Sequence, residues 1–386
     1  MKQKEALVFF IMFIVFTWVP SIGVATITEF PVRCPSGTIL YVGGVGQDNY
    51  TSIQDAVEHA LNGDTVFVFS YSSPYFEHVV VNRSIHLVGE NRSTTVIDGS
   101  DVGDVLLLRA DDIMVSGFTI QHGGDLPKVN AGIESRANRS EIHGNIVFQN
   151  GKYGVGVLLN CSSAAHVYDN IIAENGNEGV FLGRSTNATI EHNEMTRNGH
   201  CAVVISKSWR NTIIENTMAD NYAGVSLWPG AVDNEVARNL ISDQEYSGIG
   251  MWPGADNNSL HDNVLSNNSL YGFLMTKVDG NIIAFNTIQG SDEGVRLSMA
   301  NKSVFQCNNF ISNNRSVFFE NSSLNRWKQN YWDDHISNWP KCIHGLMRIP
   351  WNKIKVIRWI NLDWHPAQKP YSIPAWGGTK ECISIS

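Results

Sequence analysis

A segment of about 23 residues repeats eight times through the centre of this chain, and the repeat limits the folds that the chain can adopt. Each copy contains a short apolar segment that ends in asparagine, as in residues 190–193 and 213–216. The eight aligned asparagines are Asn145, Asn170, Asn193, Asn216, Asn239, Asn263, Asn286 and Asn309. A unit of this length cannot bury a core of its own, so successive units have to stack on one another.

The pattern inside each unit predicts strands separated by tight turns. Apolar residues alternate with polar ones, which is typical of short strands with one buried face. A second asparagine follows most of the first ones after five positions, at Asn150, Asn175, Asn198, Asn221, Asn268 and Asn314. Asparagine and glycine favour turns, and equivalent asparagines on stacked coils lie about 4.8 Å apart, where their amides can form hydrogen-bonded ladders. Leucine-rich repeats have a similar period, but their leucine consensus is absent. The sequence therefore predicts an all-β, right-handed parallel β-helix of about ten coils.

Both ends of the repeat differ from its centre and are predicted to be caps. Residues 50–61 have helical spacing, with Ser52 as the N-cap and Gly63 as the stop. The apolar face of this helix would contain Ile53, Ala56, Val57, Ala60 and Leu61. The tail after residue 334 is rich in Trp, Pro and Lys, and we expect it to cover the last coil with aromatic side chains. The predicted divisions are a signal peptide (1–25), an N-terminal segment with the capping helix (26–80), the β-helix (81–334) and a C-terminal cap (335–386).

The N-terminus predicts export from the cytoplasm. Lys2 and Lys4 precede an apolar run at 6–19, and the small residues at 23–25 are typical of a cleavage site. The run is short for a membrane span, and no later stretch is long enough. We expect a protein that is secreted, periplasmic or held at the cell surface, with no transmembrane span in the mature chain.

Glycosylation signals and cysteines are compatible with such a compartment. Eleven N-x-S/T sequons are present, at Asn49, Asn82, Asn91, Asn138, Asn160, Asn187, Asn257, Asn267, Asn301, Asn314 and Asn321. The six cysteines are Cys34, Cys161, Cys201, Cys307, Cys342 and Cys382, and their spacing does not assign any disulfide. The net charge of −9 and the lack of a basic run argue against nucleic acid as a partner.

Several segments resemble the NosD-type β-helix family. They are YVGG at 41–44, YTSIQDAV at 50–57, GDTVFV at 63–68, IHLVGE at 85–90, the asparagine repeats, and NYWDD at 330–334. The resemblance covers roughly residues 41–334 and implies an exported archaeal or bacterial β-helix protein. The wider superfamily is associated with carbohydrate binding and sugar hydrolysis, and the name-giving members are periplasmic copper-binding proteins. The tail differs from the Gly/Asp-rich endings of many members.

Two tryptophans are the leading candidates for ligand contact. Trp228 and Trp252 occupy equivalent positions in the segments LWPGA at 227–231 and MWPGA at 251–255. Each follows the last inward residue of its strand, so we expect two exposed, stacked indoles of the kind on which sugar rings pack. Arg184, Lys207 and Lys277 fall two residues after the corresponding strand ends and would line the same flank. The alternative is an aromatic stack that only shields the solenoid.

A row of polar residues precedes the ladder asparagines: Asp169, His192, Glu215, Arg238 and Asp262. Such a row would bind a cation or sugar hydroxyls, or it would form ion pairs between neighbouring coils. Glu215 and Asp262 would lie about 10 Å apart, too far for the carboxylate pair of a retaining glycosidase. No compact acidic cluster is evident in the sequence.

The tail contains candidate metal ligands. Cys342, His344 and Met347 are ligand types that suit copper, although their spacing matches no recognised motif. No cofactor is predicted, and copper or calcium remains an alternative.

The leading hypothesis for function is non-catalytic glycan binding outside the cell. The alternatives are a carbohydrate-active enzyme of the polysaccharide lyase, epimerase or hydrolase type, and NosD-like copper binding or delivery.

Overall fold

A computed structural model describes residues 37–126, 129–335, 337–349 and 352–373. The predicted signal peptide (1–25), Cys34 and Cys382 lie outside the described residues. The described chain is a parallel β-solenoid of about 13 turns rather than the ten predicted, because its strands begin before the recognisable repeat and continue after it. The helical structure described is the helix α1 (Ile53–His59) and one short 3-10 turn (Ser70–Ser72).

Each complete coil contributes one strand to each of three ladders, which form the sides of the solenoid. The first ladder contains β1 (Ile39–Val42), β2 (Thr65–Val68), β5 (His86–Gly89), β8 (Met114–Ser116), β11 (Glu141–His143), β14 (His166–Tyr168), β17 (Thr189–Glu191), β20 (Thr212–Ile214), β23 (Glu235–Ala237), β26 (Ser259–His261), β29 (Ile282–Ala284), β32 (Val304–Gln306), β35 (Arg326–Lys328) and β38 (Asn352–Asp363).

The second ladder contains β4 (Val79–Val81), β7 (Leu106–Leu108), β10 (Ala131–Ser135), β13 (Val155–Asn160), β16 (Val180–Gly183), β19 (Cys201–Ser206), β22 (Ala223–Leu227), β25 (Ser247–Met251), β28 (Tyr271–Thr276), β31 (Glu293–Ser298), β34 (Arg315–Glu320) and β37 (Lys341–Ile349). The third ladder contains β3 (Tyr75–Phe76), β6 (Val96–Asp98), β9 (Thr119–Gln121), β12 (Ile146–Phe148), β15 (Ile171–Ala173), β18 (Glu194–Thr196), β21 (Thr217–Ala219), β24 (Leu240–Ser242), β27 (Val264–Ser266), β30 (Thr287–Gln289), β33 (Asn309–Ile311) and β36 (Tyr331–Trp332). Inward side chains of all three ladders form one continuous apolar core.

The predicted asparagine ladders are confirmed, and they hold the corners of the coils together. Asn216 is fully buried, and its carbonyl accepts hydrogen bonds from both the backbone and the side-chain amide of Asn193, each at 3.0 Å. Its own amide donates to the carbonyl of Ile190 at 2.8 Å and to Asn239 Oδ1 at 3.0 Å. Each asparagine therefore satisfies backbone groups that the turn would otherwise leave unpaired inside the protein.

Two ladder positions near the end of the repeat were predicted one residue too late. Asn308, not Asn309, follows Asn286 in the ladder, and Asn313, not Asn314, bonds to the Ser291 backbone. The coil is one residue shorter here, with 22 residues between ladder positions. Each wrong choice was the second of two adjacent asparagines, so the residue type alone did not separate them. Gln244 fills the ladder position where the second asparagine of the repeat is missing.

The N-terminal helix is shorter than predicted. Ser52 is the N-cap as expected, accepting a hydrogen bond from the Asp55 backbone, but the helix ends at His59. Leu61 is 70% exposed and lies outside the apolar face, because the backbone turns away after Ala60. The Glu77 carboxylate accepts from the first backbone amides of the helix, at 2.9 Å from Ile53. Since β1 and β2 already belong to the first ladder, the solenoid begins inside the segment assigned to 26–80.

The C-terminal cap differs from the expected aromatic cover. Strands β37 and β38 form an antiparallel hairpin on the last coil, and Trp339, Trp359 and Trp364 of this region are at least half exposed. The buried indoles belong instead to the last coils: Trp327 stacks on Phe305 with ring centroids 4.1 Å apart. Asp363 ends the asparagine ladder, since its carboxylate accepts from the backbone and side-chain amides of Asn330.

Removal of one ladder amide should destabilise the whole solenoid. We expect Asn216→Ala to lower the free energy of unfolding by roughly 3 kcal/mol, because it leaves several buried backbone groups without partners. Asn82→Ala is the matched control, since Asn82 is exposed, and it should change stability by less than about 0.5 kcal/mol. Urea unfolding followed by circular dichroism measures both. Equal losses in the two variants would contradict the structural role of the ladder.

Candidate functional site

A groove of about 380 Å³ crosses three coils on the outer face of the second ladder. Its floor is formed by β19, β22 and β25, with Ser226 near the centre. One wall contains His200, Tyr222 and Tyr246, each of which directly precedes one of these strands. The other wall contains Trp228 and Trp252, which follow β22 and β25. The groove therefore presents aromatic surfaces on two sides and a hydroxyl between them.

The first wall is a stack of rings on successive coils. His200 lies flat on Tyr222, with centroids 5.4 Å apart and planes 12° apart. Tyr222 stacks on Tyr246 at 5.1 Å and 5°, and Tyr246 meets Tyr271 edge to face. Burial raises the pKa of Tyr246 above its ordinary value, so its phenol is a protonated hydrogen-bond donor at neutral pH. Stacking fixes the planes of these rings before any ligand arrives.

The second wall consists of the two predicted tryptophans, which the register places on adjacent coils through the Leu227–Met251 pair. They are half-buried rather than fully exposed, which corrects the expectation of an open indole platform. Both indole N–H groups donate to the Ser226 hydroxyl, at 3.1 Å from Trp228 and 3.0 Å from Trp252. Trp228 also packs edge-on against Phe181, since the outer face of the preceding coils is itself apolar.

A buried carboxylate lies behind His200. Glu178 is fully buried, and neither of its side-chain oxygens accepts a hydrogen bond from a described residue. His200 Nδ1 lies 3.5 Å from Glu178 Oε1 and 3.3 Å from Cys201 Sγ. Because Nδ1 faces these two groups, Nε2 is the ring nitrogen left for a ligand in the groove. A buried carboxylate that accepts no hydrogen bonds lowers the stability of the folded protein, and such groups occur more often at functional sites than elsewhere.

The predicted cationic flank lies beside the tryptophans. Arg184, Lys207 and Lys277 are exposed, and each directly follows its strand, β16, β19 or β28. The Arg184 side chain donates to Asn160 Oδ1 at 3.3 Å. The structure thus brings all five residues predicted for glycan binding to one edge of the second ladder.

A second polar cluster, which the sequence did not reveal, lies on the same outer face several coils away. Glu134 is buried and binds Arg136 through two hydrogen bonds of 2.7 and 2.9 Å, while Asn160 donates to it at 3.0 Å. Burial and the neighbouring Glu134 raise the pKa of Asp104 to about 7. Burial alone would raise the pKa of Glu134 too, but its hydrogen bonds from Arg136 and Asn160 lower it. The pKa values of these two neighbouring carboxyl groups are therefore shifted in opposite directions.

The predicted outward row consists largely of ion pairs. Asp169, His192, Glu215, Arg238 and Asp262 all have positive φ values between 52° and 58°, so the backbone turns in the same way at each position. Glu215 bridges two neighbours, at 2.8 Å from His192 and 2.6 Å from Arg238. These bonds lower the pKa of Glu215, Arg238 contributing most. Asp262 is buried and pairs with His261 at 2.7 Å. The geometry favours stabilisation between coils over ligand binding for this row.

The residues suggested for copper do not converge. Strand alternation in β37 puts Cys342 and His344 on the exposed side, while Met347 packs against the core, so the three side chains do not face one ion. Among the described residues, no group of three His, Cys, Asp or Glu side chains is placed to hold a metal ion. Cys161 and Cys342 are exposed free thiols, whereas Cys201 and Cys307 are buried.

Sequence reasoning missed the ring wall, although a signal for it was present. His200, Tyr222 and Tyr246 recur at intervals of 22 and 24 residues, the period of the coil. They were overlooked because they fall in the turn before the strand, outside the apolar segments that were aligned. Glu178 gives no such signal, since only packing reveals its burial.

Comparisons with known proteins agree with the architecture. Residues 155–310 match a family model described as right handed beta helix region. The A-module of mannuronan C-5 epimerase AlgE6 from Azotobacter vinelandii superposes with a TM-score of 0.60 at 15% identity, covering 72% of this chain and 87% of that one. The AlgE4 A-module from the same organism superposes with a TM-score of 0.59 at 13% identity, covering 74% of this chain and 95% of that one. DFA-IIIase from Arthrobacter chlorophenolicus A6 superposes with a TM-score of 0.55 at 10% identity, covering 70% of this chain and 85% of that one. The solenoid is therefore right-handed.

No curated protein matches this chain in sequence. None of the helices in the described part of the chain has both the length and the apolar character needed to cross a membrane.

The raised pKa of Asp104 predicts how stability changes with pH. Between its ordinary value of 3.8 and about 7, the folded protein holds this proton more tightly than the unfolded chain, so the free energy of unfolding falls as the pH rises. Asp104→Asn removes the effect and should stabilise the protein by about 2 kcal/mol at pH 8, with little change at pH 4. Urea unfolding between pH 4 and pH 8 measures this.

Asp98 provides a control of opposite sign. Burial alone would raise the pKa of Asp98, but hydrogen bonds from Gln121, the Ser100 backbone and His122 lower it. Asp98→Asn should therefore reduce stability at neutral pH and have its smallest effect in acid. A destabilised Asp104→Asn protein at pH 8 would contradict the raised pKa of Asp104.

Proposed function

We propose that this protein is exported and binds a glycan in the groove between the ring wall and the tryptophan wall. The observation that carries the proposal is the pair of half-buried indoles, Trp228 and Trp252, held in place by one hydroxyl of Ser226 opposite a stack of three rings. The proposed export rests on the predicted signal peptide at 1–25. The resemblance in sequence further leads us to propose that the protein is of the NosD type.

The chemistry of the groove suits a sugar chain. Sugar rings have apolar C–H faces that pack on aromatic rings, and hydroxyl edges that need hydrogen-bond partners. The aromatic walls supply surfaces for the apolar faces. Partners for the hydroxyl edges come from the Tyr222 and Tyr246 phenols, His200 Nε2 and the Ser226 hydroxyl. The groove spans three coils, about 10 Å between the outer strands. A polymer fits this shape better than a small metabolite.

The compared structures point in the same direction. Two of them are modules of mannuronan C-5 epimerases, and a third is a DFA-IIIase crystallised in complex with GF2. Because their identity to this chain is at most 15%, the likeness supports the choice of a glycan without naming one.

Loss of the indoles should weaken binding. We expect Trp228→Ala/Trp252→Ala to weaken binding of glycans found by array screening by about tenfold or more, because stacking area and its rigid geometry are lost. Isothermal titration measures the affinity. Trp364→Ala removes an exposed indole at the far end of the chain and should leave the affinity unchanged.

Since Trp228 also packs on Phe181, the double variant requires a check of folding by circular dichroism. Tyr246→Leu tests the opposite wall independently. Full affinity in both folded variants would contradict the groove as the binding site.

Acid–base catalysis on the bound glycan is a second candidate function. The fully buried Glu178, 3.5 Å from His200 Nδ1, favours it, since an imidazole whose Nδ1 faces a carboxylate presents Nε2 to accept or donate a proton. In this arrangement His200 would contact the substrate and Glu178 would be a positioning residue. The reaction class would be proton transfer without a cofactor, as in a polysaccharide lyase or epimerase.

The test separates catalysis from binding. We expect the wild type to release unsaturated sugar ends from a bound polysaccharide or to exchange carbon-bound hydrogen with deuterated solvent. His200→Asn should reduce either activity at least about 100-fold and retain most of the affinity. Glu178→Gln should produce a smaller loss with a changed pH profile. An inactive wild type that binds the same polymer would leave binding as the function.

A further inference from the structure

One corner of the solenoid beside the tryptophan wall carries cations on either side of two successive glycines. We define this corner column by the residues Arg184, Lys207, Gly230, Gly254 and Lys277. Backbone hydrogen bonds join its inner members: Gly230 donates to the Gly254 carbonyl at 3.3 Å, and Gly254 donates to the Lys277 carbonyl at 3.1 Å. A Cβ built on Gly230 would lie 3.1 Å from Lys207 Cα, which confirms that these two share the column.

All five residues adopt a left-handed backbone conformation. Their φ values are 52°, 50°, 81°, 82° and 53° in chain order. The corner is therefore turned in the same way on five successive coils, and its side chains project from equivalent points. Lys207 and Lys277 are three coils apart, about 14 Å by strand spacing, with Trp228 and Trp252 on the two coils between them.

The charge of the column is unusual for this chain. The protein has 37 Asp and Glu against 28 Lys and Arg, yet every charged residue of the column is a cation. Among the described residues, no carboxylate lies within ion-pair distance of Arg184, Lys207 or Lys277, although many other cations on this solenoid are paired. Of the acids at the next turn, Asp279 pairs with Lys302 at 3.5 Å, Asp256 accepts a hydrogen bond from the Asp279 backbone at 2.7 Å, and Asp233 is exposed.

The two glycines add no side chain to the middle of the column. A Cβ at Gly254 would meet only the Gly230 backbone nitrogen, at 3.9 Å, so the space outside Gly254 is open, whereas the space outside Gly230 adjoins Lys207. A polymer that stacks on the two tryptophans can approach the backbone here, and its substituents then reach Lys207 on one side and Lys277 on the other. Cations placed in this way attract negative charge and position it.

We infer that the glycan bound in the groove is acidic, and that its anionic groups lie along the corner column. This inference rests on the proposed glycan-binding function and specifies its ligand class. The anionic groups are carboxylates or sulfates, which present the same charge and similar oxygen acceptors to lysine and arginine. Lys207 and Lys277 select the acidic polymer, while the tryptophans bind its rings whatever its charge.

The experiment compares matched polymers by isothermal titration with the full mature chain. The probes are an oligogalacturonate, the same oligosaccharide after reduction of its carboxyl groups, dextran sulfate, and neutral dextran. We expect the wild type to bind an anionic probe about tenfold more tightly than its neutral counterpart in low salt, with the preference shrinking as salt screens the charges. The carboxylate and sulfate probes then distinguish the two kinds of anion.

Substitution of the lysines tests the position of the anions. Lys207→Gln/Lys277→Gln should reduce the preference for the anionic probe about fivefold and leave binding of the neutral probe unchanged. Lys328→Gln is the control, since Lys328 is an exposed lysine of β35 outside the column, and the preference should persist.

Each contrary outcome has its own meaning. Equal binding of anionic and neutral probes would overturn the acidic ligand and leave glycan binding in place. An anionic preference that survives in Lys207→Gln/Lys277→Gln would overturn the role of the column. Absence of binding to every probe, and to the glycan array, would overturn the proposed function together with this inference.

Discussion

Hydrogen bonding by buried asparagine amides is the interaction on which the rest of this structure depends. A turn inside a stacked solenoid exposes backbone groups to a dry interior, where each unpaired group is costly. The amide of Asn193, for example, donates to the carbonyl of Val167 on the preceding coil and to Asn216 on the following one. One residue type thus satisfies the turn and also fixes the register of neighbouring coils.

Fixed register turns single residues into columns on the outer surface. Once Leu227 pairs with Met251, the two tryptophans that follow must lie on adjacent coils, and so must the rings that precede the strands. The groove is a consequence of this stacking, because the rings precede β19, β22 and β25, and the tryptophans follow the last two of these strands. A column of polar residues does not by itself indicate a ligand site, because in the polar row Glu215 already forms ion pairs with His192 and Arg238.

The outer face of the second ladder departs from the usual division between apolar inside and polar outside. Leu158, Phe181 and Val204 form a second, smaller apolar cluster there, against which Trp228 packs. Two carboxyl groups, Glu134 and Glu178, are buried at the same face. A solenoid with its own complete core does not need these features for folding, so their presence at one face is a reason to look for function there.

The sequence by itself determined the parallel β-helix, the identity of most ladder asparagines and the equivalence of Trp228 with Trp252, because each follows from a period that any stacked coil must keep. The sequence placed one ladder position a residue too late, at Asn309 instead of Asn308, because two asparagines are adjacent there. Only the tertiary structure decided that the tryptophans fold over Ser226, that His200 stacks on Tyr222, and that Glu178 is buried behind it. Periodicity specifies which residues are neighbours along the solenoid axis. The depth of a side chain and the direction in which it leans depend on packing between residues far apart in sequence, which no repeat encodes.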